Sequence, residues 1–370
     1  MAGGGGPAPA TETESMTTVK CLVWDLDDTL WQGILLEHDE LAVSSAVREV
    51  VTGLDSRGIL QSIASRNEPD QAWARLEELG LAEYFVLPQI GWGRKSDAVR
   101  AIAEQLNFAH QTMAFIDDQP AERAEVAFHL PQVRCYPAEQ AADLLGRPEF
   151  TTPVVTVDAR RRREMYQAGF RRDEARTKHS GPDQDFLCSL QMVLRISRAG
   201  DDELSRLDEL TLRTSQMNAT GVHYPDSVLR ALLTDPAHEV LALTLTDRFG
   251  PHGAVGVVVL QRYPACWHLK LLATSCRVVN FGVGATLLRW LTDRAAAASV
   301  HLVADLRRTD RNRIMEITYR FAGFATPDGC GCGAALPATA DSSVERLHLV
   351  PRRLSPPSTM TILGPKVRWT

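Results

Sequence analysis

The stretch Val19-Lys20-Cys21-Leu22-Val23-Trp24-Asp25-Leu26-Asp27-Asp28-Thr29-Leu30 decides the fold of the front half of the chain. Val19–Asp25 is an apolar, β-branched run that turns polar at its end, as a buried strand does where it reaches a surface. Outward from it, short apolar runs alternate with helical periods. Ala46–Leu54 has helical spacing and Leu60–Ala64 reads as a second buried strand. Pro69–Leu79 is expected to be a helix and Tyr84–Leu87 a strand. Ser96–Leu106, with Ser96 as cap, is a helix, and Thr112–Ile116 another strand. Ala121–Leu130 and Val133–Tyr136 close the pattern as helix and strand. Strands alternating with helices imply right-handed crossovers and a parallel, doubly wound α/β sheet. In such sheets the active site lies at the carboxyl ends of the strands.

Composition narrows the class. The 370 residues carry 40 Lys+Arg against 46 Asp+Glu, a formal charge of −6, and 44% are hydrophobic. That excludes collagen-like, coiled-coil and wholly disordered chains, and the length favours two domains. The charge is divided unevenly: residues 1–150 hold 11 basic and 24 acidic side chains, residues 151–370 hold 29 and 22. An acidic front half and a basic back half suggest two tasks. No run of eighteen apolar residues occurs, which argues against a membrane-spanning helix, and a membrane is not an expected partner. Residues 1–18 are rich in Gly, Ala, Pro and Thr and read as a flexible lead, a poor signal peptide. Seven scattered cysteines argue for reduced thiols in the cytoplasm. The basic surplus lacks interleaved aromatic residues, so nucleic acid is not an expected partner.

Asp25 and Asp27, two residues apart just past a strand end, can reach one point. Mg2+ suits them, because it wants hard oxygen ligands and shares them with substrate phosphate. Asp25 can attack phosphorus, and Asp27 can protonate the leaving oxygen and later activate water. A second acidic pair, Asp117 and Asp118, ends the strand Thr112–Ile116. Ser65 ends Leu60–Ala64 and offers a hydroxyl to phosphate. Lys95, at the start of the Ser96 helix, can neutralise charge on a transferring phosphoryl group. The metal ligands expected are therefore Asp25, Asp27, Asp117 and Asp118. Taken singly each has a plainer reading, such as turn chemistry for Asp117-Asp118-Gln-Pro.

In this order the residues resemble the four motifs of the haloacid dehalogenase (HAD) superfamily. The first is matched by Asp25, Asp27 and Thr29, the second by Ser65, the third by Lys95, and the fourth by Asp117 and Asp118. The short inserts between them imply a fold without a large cap. Longer stretches resemble the FkbH-like proteins that accompany modular polyketide synthases. They are Trp24–Gly33, Ala64-Ser65-Arg66-Asn67, Gly91–Ser96, Phe115–Glu125, Arg163–Tyr166, Phe186–Leu190, Leu212–Asn218, Arg248-Phe-Gly250 and Ser275–Val278. That resemblance implies a two-step reaction. A phosphorylated three-carbon acyl donor, bisphosphoglycerate, gives a glyceryl group that loses its phosphates. The glyceryl group ends as a thioester on the phosphopantetheine arm of an acyl carrier protein. It also implies substrate-binding roles for Thr29, Ser65, Arg66, Asn67 and Arg277.

The implied organisation is a HAD-like domain over 19–150 and a helical connector over 151–190. A mixed α/β domain like the N-acetyltransferases (GNAT) follows over 191–325, then an extension over 326–370. Strands are expected at Val193–Ile196, Val240–Thr246, Ala254–Leu260, Trp267–Ala273 and His301–Ala304, and helices at Gly284–Ala298 and Asn312–Phe321. Thioester formation from an acyl phosphate calls for a soft nucleophile. Cys276, after a strand and beside Arg277, is best placed among the cysteines, and His252 is the candidate base. The alternatives are a small buried hydrophobe for Cys276 and an exposed loop histidine for His252. Arg277…Gly282-Val-Gly284 resembles an acetyltransferase pyrophosphate loop, with Asn280 and Pro251 departing from that pattern. Cys330-Gly-Cys332 offers too few ligands for a zinc site and reads as a flexible tail. The competing function is a stand-alone Mg2+-dependent phosphatase of a small phosphate ester, with a non-catalytic GNAT-like domain.

Overall fold

A computed structural model describes residues 17–37, 41–151, 155–214, 216–309, 311–327, 329–333, 336–337 and 341–365. Most of the lead expected over residues 1–18 lies outside them. The chain divides into two compact units, Met1–Val155 and Thr156–Thr370.

The first unit holds strands β1 (Cys21–Trp24), β2 (Leu60–Ser65), β3 (Gln89–Ile90), β4 (Met113–Asp117) and β5 (Arg134–Pro137). Helices α1 (Ser45–Ser56), α2 (Pro69–Glu78), α3 (Lys95–Leu106) and α4 (Pro120–His129) connect them. Every pairing is parallel, and the order β3-β2-β1-β4-β5 is the doubly wound arrangement expected from the sequence. Successive residues of a strand point to opposite faces, and all four residues of β1 are buried, so both faces of the central strand are covered. That is why β1 reads as an unbroken apolar run.

One strand is displaced from its expected place. Tyr84 ends a 3-10 turn (Ala82–Tyr84), Phe85 makes only a bridge to Gln61, and β3 forms at Gln89–Ile90. Leu87 takes a left-handed φ of 51° and Pro88 has no N–H to donate, so the extended run breaks there. Phe85 and Val86 are apolar because they are buried, not because they belong to a strand.

The second unit is built on a seven-stranded mixed sheet. Its strands are β6 (Met192–Arg198), β7 (His238–Asp247), β8 (Gly250–Arg262), β9 (Cys266–Thr274), β10 (His301–Arg307), β11 (Val344–Leu349) and β12 (Met360–Leu363). The order is β11-β10-β9-β8-β7-β6-β12. Strands β6 to β9 form an antiparallel meander, whereas β9 and β10 are parallel and joined through helix α10 (Val283–Ala297). The five strands expected in this half are all present. Along β7, Leu241, Leu243 and Leu245 enter one core while Val240 and Ala242 enter a second, so the sheet is covered on both faces.

The charged stretch after residue 156 forms α5 (Val157–Arg160), α6 (Arg162–Lys178) and α7 (Asp183–Ser189). Helices α8 (Leu204–Arg213) and α9 (Asp226–Thr234) precede β7, and α11 (Arg313–Phe321) follows β10. Strands β11 and β12 gave no signal in the sequence. The run Val344-Glu-Arg-Leu-His-Leu buries only Leu347, as an edge strand does. No helix among the described residues is long and apolar enough to cross a membrane.

Asp247 ties the end of β7 to α6. Its side chain is fully buried and accepts from Arg172 Nε at 2.5 Å and His252 Nε2 at 3.0 Å, and from the backbone N–H groups of Phe249 and Gly250. Burial pushes its pKa up, but the hydrogen bonds and charges of His252 and Arg172 outweigh this and hold it well below the usual carboxylate range. Asp247→Asn is therefore expected to cost about 3–5 kcal/mol in denaturant unfolding near neutral pH. Because the folded pKa is depressed, this contribution is complete above the unfolded pKa of about 4 and is lost as the pH falls below it. The gap between wild type and variant should narrow on acidification; a gap that stays constant would contradict this account.

Candidate active site

The loop after β1 carries Asp25, Asp27, Asp28 and Thr29, and three local contacts give it its shape. The Leu26 carbonyl accepts from the N–H groups of Thr29, Leu30 and Trp31, making a tight turn. Asp28 adopts a left-handed φ of 49°, which a short polar side chain tolerates, and its Oδ1 accepts from Gly33 N at 2.8 Å. The Thr29 hydroxyl accepts from Asp118 N at 2.9 Å, joining the loop after β1 to the loop after β4. Thr29, expected to bind substrate, thus also positions these two loops.

Lys95, the first residue of α3, is buried between two carboxylates. Its Nζ lies 2.6 Å from Asp25 Oδ1 and 2.5 Å from Asp117 Oδ2. Asp117 is completely buried and also accepts from Gln119 N at 2.7 Å. Asp25, Asp117 and Asp118 each bring a ligand atom within 4.8 Å of the others, a cluster of hard oxygen donors that can hold a metal ion. Asp27 does not join it, contrary to the sequence expectation. Its carboxylate is occupied by Trp31 Nε1 at 2.9 Å, Leu35 N at 3.0 Å and Asn67 Nδ2 at 2.9 Å. These donors fix the Asp27 side chain beside the cluster, outside it.

The electrostatics follow from burial and crowding. Burial, reinforced by Asp117 and opposed by Lys95, pushes the Asp25 carboxyl up to about 6. Asp118 is raised by burial and then by Asp117. Burial would lower the Lys95 pKa, but Asp25 and Asp117 outweigh it and raise the pKa, so Lys95 stays charged.

Ser65 is buried at the end of β2 and, with Gly91, Gly93, Arg94 and Lys95, lines a cavity of about 270 Å3. Asn67 Oδ1 is buried without a hydrogen-bond partner among the described residues. Arg66, expected at substrate, meets Glu122 at 2.6 Å and donates to the Gly93 carbonyl at 3.1 Å.

Sequence reasoning gave no role to Arg123 or Glu125. Arg123 Nη1 donates to the carbonyls of Asp117 and Asp118 at 2.6 and 2.7 Å and so holds the second acidic pair in place. Glu125 accepts from Ser96 N and from Ser96 Oγ, anchoring the first turn of α3 beside Lys95. Their spacing of five and seven residues after Asp118, on the helix that follows it, was the available signal.

In the second unit Cys276 opens a 3-10 helix, Cys276–Phe281, directly after β9, and its thiol is exposed, not buried among hydrophobes. Arg277 turns to Ser275, its N and Nε each 3.4 Å from the Ser275 hydroxyl. His252 is a buried residue of β8 whose Nε2 bonds Asp247, and its ring meets Phe281 edge-on at 5.2 Å between centroids. The strand that carries His252 and the helix that begins at Cys276 are therefore in contact, but no hydrogen bond joins the two side chains among the described residues. Gly282, at a left-handed φ of 72°, starts α10. A cavity of about 730 Å3 lies between α10 and α11, lined in part by Thr286, Arg289, Phe321 and Leu349, and neither Cys276 nor His252 lines it.

No protein-family model matches this chain. No curated protein matches it either. Solved structures resemble parts of it. The N-terminal part of a Bacteroides fragilis protein containing a phosphatase domain, complexed with Mg, is 29% identical with a TM-score of 0.31. That match covers 34% of this chain and 38% of that one. A HAD-superfamily hydrolase from Ehrlichia chaffeensis is 14% identical over 33% of this chain and 88% of its own, with a TM-score of 0.28. The PaiA N-acetyltransferase of Thermoplasma acidophilum, in complex with coenzyme A, is 14% identical over 42% of this chain and 97% of its own, with a TM-score of 0.33. The fold itself rests on the strand order and register given above.

A proton on Asp25 competes with a metal ion for the same oxygen. Divalent-cation affinity, measured by calorimetry, should rise up to about tenfold per pH unit below 6 and level off above it, with proton release on binding. An affinity that does not change between pH 5 and 7 would remove Asp25 from the metal site.

Proposed function

We propose that the chain is a Mg2+-dependent phosphatase of HAD type coupled to a glyceryl transferase. It would take a glyceryl unit from bisphosphoglycerate, remove its phosphate, and load it as a thioester onto an acyl carrier protein. The observation that carries the phosphatase part is the buried Asp25–Lys95–Asp117 group at the carboxyl ends of β1 and β4, with Asp118 beside it.

Bound among the carboxylates, Mg2+ would supply positive charge to the phosphoryl oxygens. Asp25 attacks phosphorus, the bond to the leaving oxygen breaks, and Asp27 delivers a proton to that oxygen. Asp27 then takes a proton from water, whose oxygen displaces phosphate from Asp25. Lys95 holds Asp25 in position for attack and offsets the charge that gathers on the phosphoryl group. Trp31, Leu35 and Asn67 keep the Asp27 carboxylate aimed in one direction.

For the transfer step, the exposed Cys276 thiolate attacks the acyl-phosphate carbon and phosphate leaves with the electron pair of the broken C–O bond. The pantetheine thiol then displaces Cys276. The basic surplus of residues 151–370 favours encounter with an acidic carrier protein and its anionic arm. His252 is engaged by Asp247, and this favours the second reading, a phosphatase whose back half only positions substrate.

Intact-protein mass spectrometry separates the two. With bisphosphoglycerate and Mg2+, wild type should gain a glyceryl mass that transfers to carrier protein, and Cys276→Ala should not. Asp25→Asn should lower phosphate release by at least about 10³-fold. Normal loading of Cys276→Ala would sink the transferase assignment, and steady turnover of small phosphate esters without any covalent loading would support the simpler phosphatase.

A further inference from the structure

The two cysteines of Cys330-Gly-Cys332 are not alone. His301 begins β10 and His348 lies in β11, where it is paired one step away, opposite Val303. Residues 301 and 303 of β10 and residue 348 of β11 share one face of the sheet, because side chains alternate along a strand and cross-strand partners point the same way. His301 Nδ1 lies 3.0 Å from His348 Nε2, and Cys330 Sγ lies 3.3 Å from the same His301 nitrogen. With Cys332, these residues each offer a ligand atom, all within 4.8 Å of one another and all partly shielded from solvent.

The backbone holds the four residues together. Ala325 and His348 exchange two backbone hydrogen bonds, Ala325 N to His348 O at 2.9 Å and His348 N to Ala325 O at 2.7 Å, so the segment entering the Cys pair is tied to the strand bearing His348. Cys332 is fixed from the other side, its carbonyl accepting from Cys266 Sγ at 3.4 Å. There it packs against a small cluster of Cys266, Val303 and Leu336. Cys266 sits opposite His301 in the β9–β10 register.

We propose that His301, Cys330, Cys332 and His348 form a tetrahedral zinc site that pins the 325–333 segment to the β10–β11 edge of the second sheet. The donor set is two thiolates and two imidazoles, which suits a borderline-soft ion and not Mg2+. Tetrahedral zinc with bonds of about 2.0–2.3 Å places its ligand atoms about 3.3–3.8 Å apart. The separations of 3.0 and 3.3 Å reach that range with shifts of a few tenths of an ångström. Four protein ligands fill the coordination sphere and leave no position for water or substrate, so the site is structural, distinct from the carboxylate cluster of the first unit. Zinc also has a mechanical reason to be there. The segment carries few large apolar side chains of its own, and β11 is the outermost strand of the sheet, its far side met by the bridge at Ala325. A metal clip ties both down where apolar burial is small.

The test uses the full chain, purified after growth with zinc and dialysed against a weak chelator. Elemental analysis should find about one zinc per chain. Replacement by Co2+ should give the intense visible bands of tetrahedral cobalt together with a thiolate-to-metal charge-transfer band. Cys330→Ser and Cys332→Ser should each lose the metal, while Cys188→Ser, at an exposed cysteine outside the cluster, should keep it. If the cysteine variants do not fold, X-ray absorption at the zinc edge of wild type decides, with two sulfur and two nitrogen neighbours expected. Wild type without tightly bound zinc, a shell of oxygen and nitrogen only, a Cys330–Cys332 disulfide in its place, or full zinc content in the folded double cysteine variant would each overturn the proposal.

Discussion

A lysine ammonium buried between two carboxylates organises the first unit. Lys95 can be buried only because Asp25 and Asp117 meet it at 2.6 and 2.5 Å, and those aspartates can be buried together only because Lys95 separates their charges. The three groups come from three separate places in the sequence: the end of β1, the start of α3 and the end of β4. Holding them in register requires β1 and β4 to be parallel neighbours and α3 to begin close to the carboxyl edge of the sheet. Thr29, Arg123, Ser96 and Glu125 hold those segments at the required positions, each through hydrogen bonds to a loop or helix end. The site therefore depends on the topology of the whole sheet.

The arrangement leaves negative charge unbalanced. Two carboxylates neutralise one lysine twice over, and Asp118 adds a third negative group beside them. Burial, reinforced by Asp117, makes Asp25 hold its proton to higher pH than an ordinary aspartate. A cation between the three would relieve the same crowding, which gives part of the acidic surplus of the front half a physical reason. The second unit handles its buried carboxylate differently. Asp247 is fully satisfied by Arg172, His252 and two backbone N–H groups, and it has no need of an ion. Such a group locks α6 to the sheet. It also means that His252 has a structural partner already, whatever it does toward Cys276.

Much of the architecture could be read from hydrophobic period alone. The central strand β1 is apolar throughout because both its faces are covered, and α3 shows its buried stripe at Val99, Ile102, Ala103 and Leu106. The elements that escaped notice have more than one cause, since α8 and α9 bury a regular stripe at Leu204, Leu207, Leu210 and Leu229 and were still not foreseen. Phe85 and Val86 are buried outside any strand, and β11 mixes polar and apolar residues without strict alternation at a sheet edge that buries little. The sequence also placed Asp27 with the metal ligands, because spacing two residues apart says nothing about which way a carboxylate turns. Its direction is set by Trp31, Leu35 and Asn67, one of them forty positions away.

By itself, then, the sequence determined the strand–helix alternation, the strand ends at which Asp25, Ser65 and Asp117 stand, and the division of charge between the two halves. These are local properties, written in period and composition. The tertiary structure alone decided which charged groups touch. It sorted Asp27 from the other carboxylates, engaged Arg66 and Thr29 in contacts with neighbouring loops and helices, and exposed Cys276. It also brought His301 and His348 to a Cys-Gly-Cys pair that, in sequence, offered two ligands. Convergence of side chains from distant segments is a property of strand register and sheet order, and no window of sequence contains it.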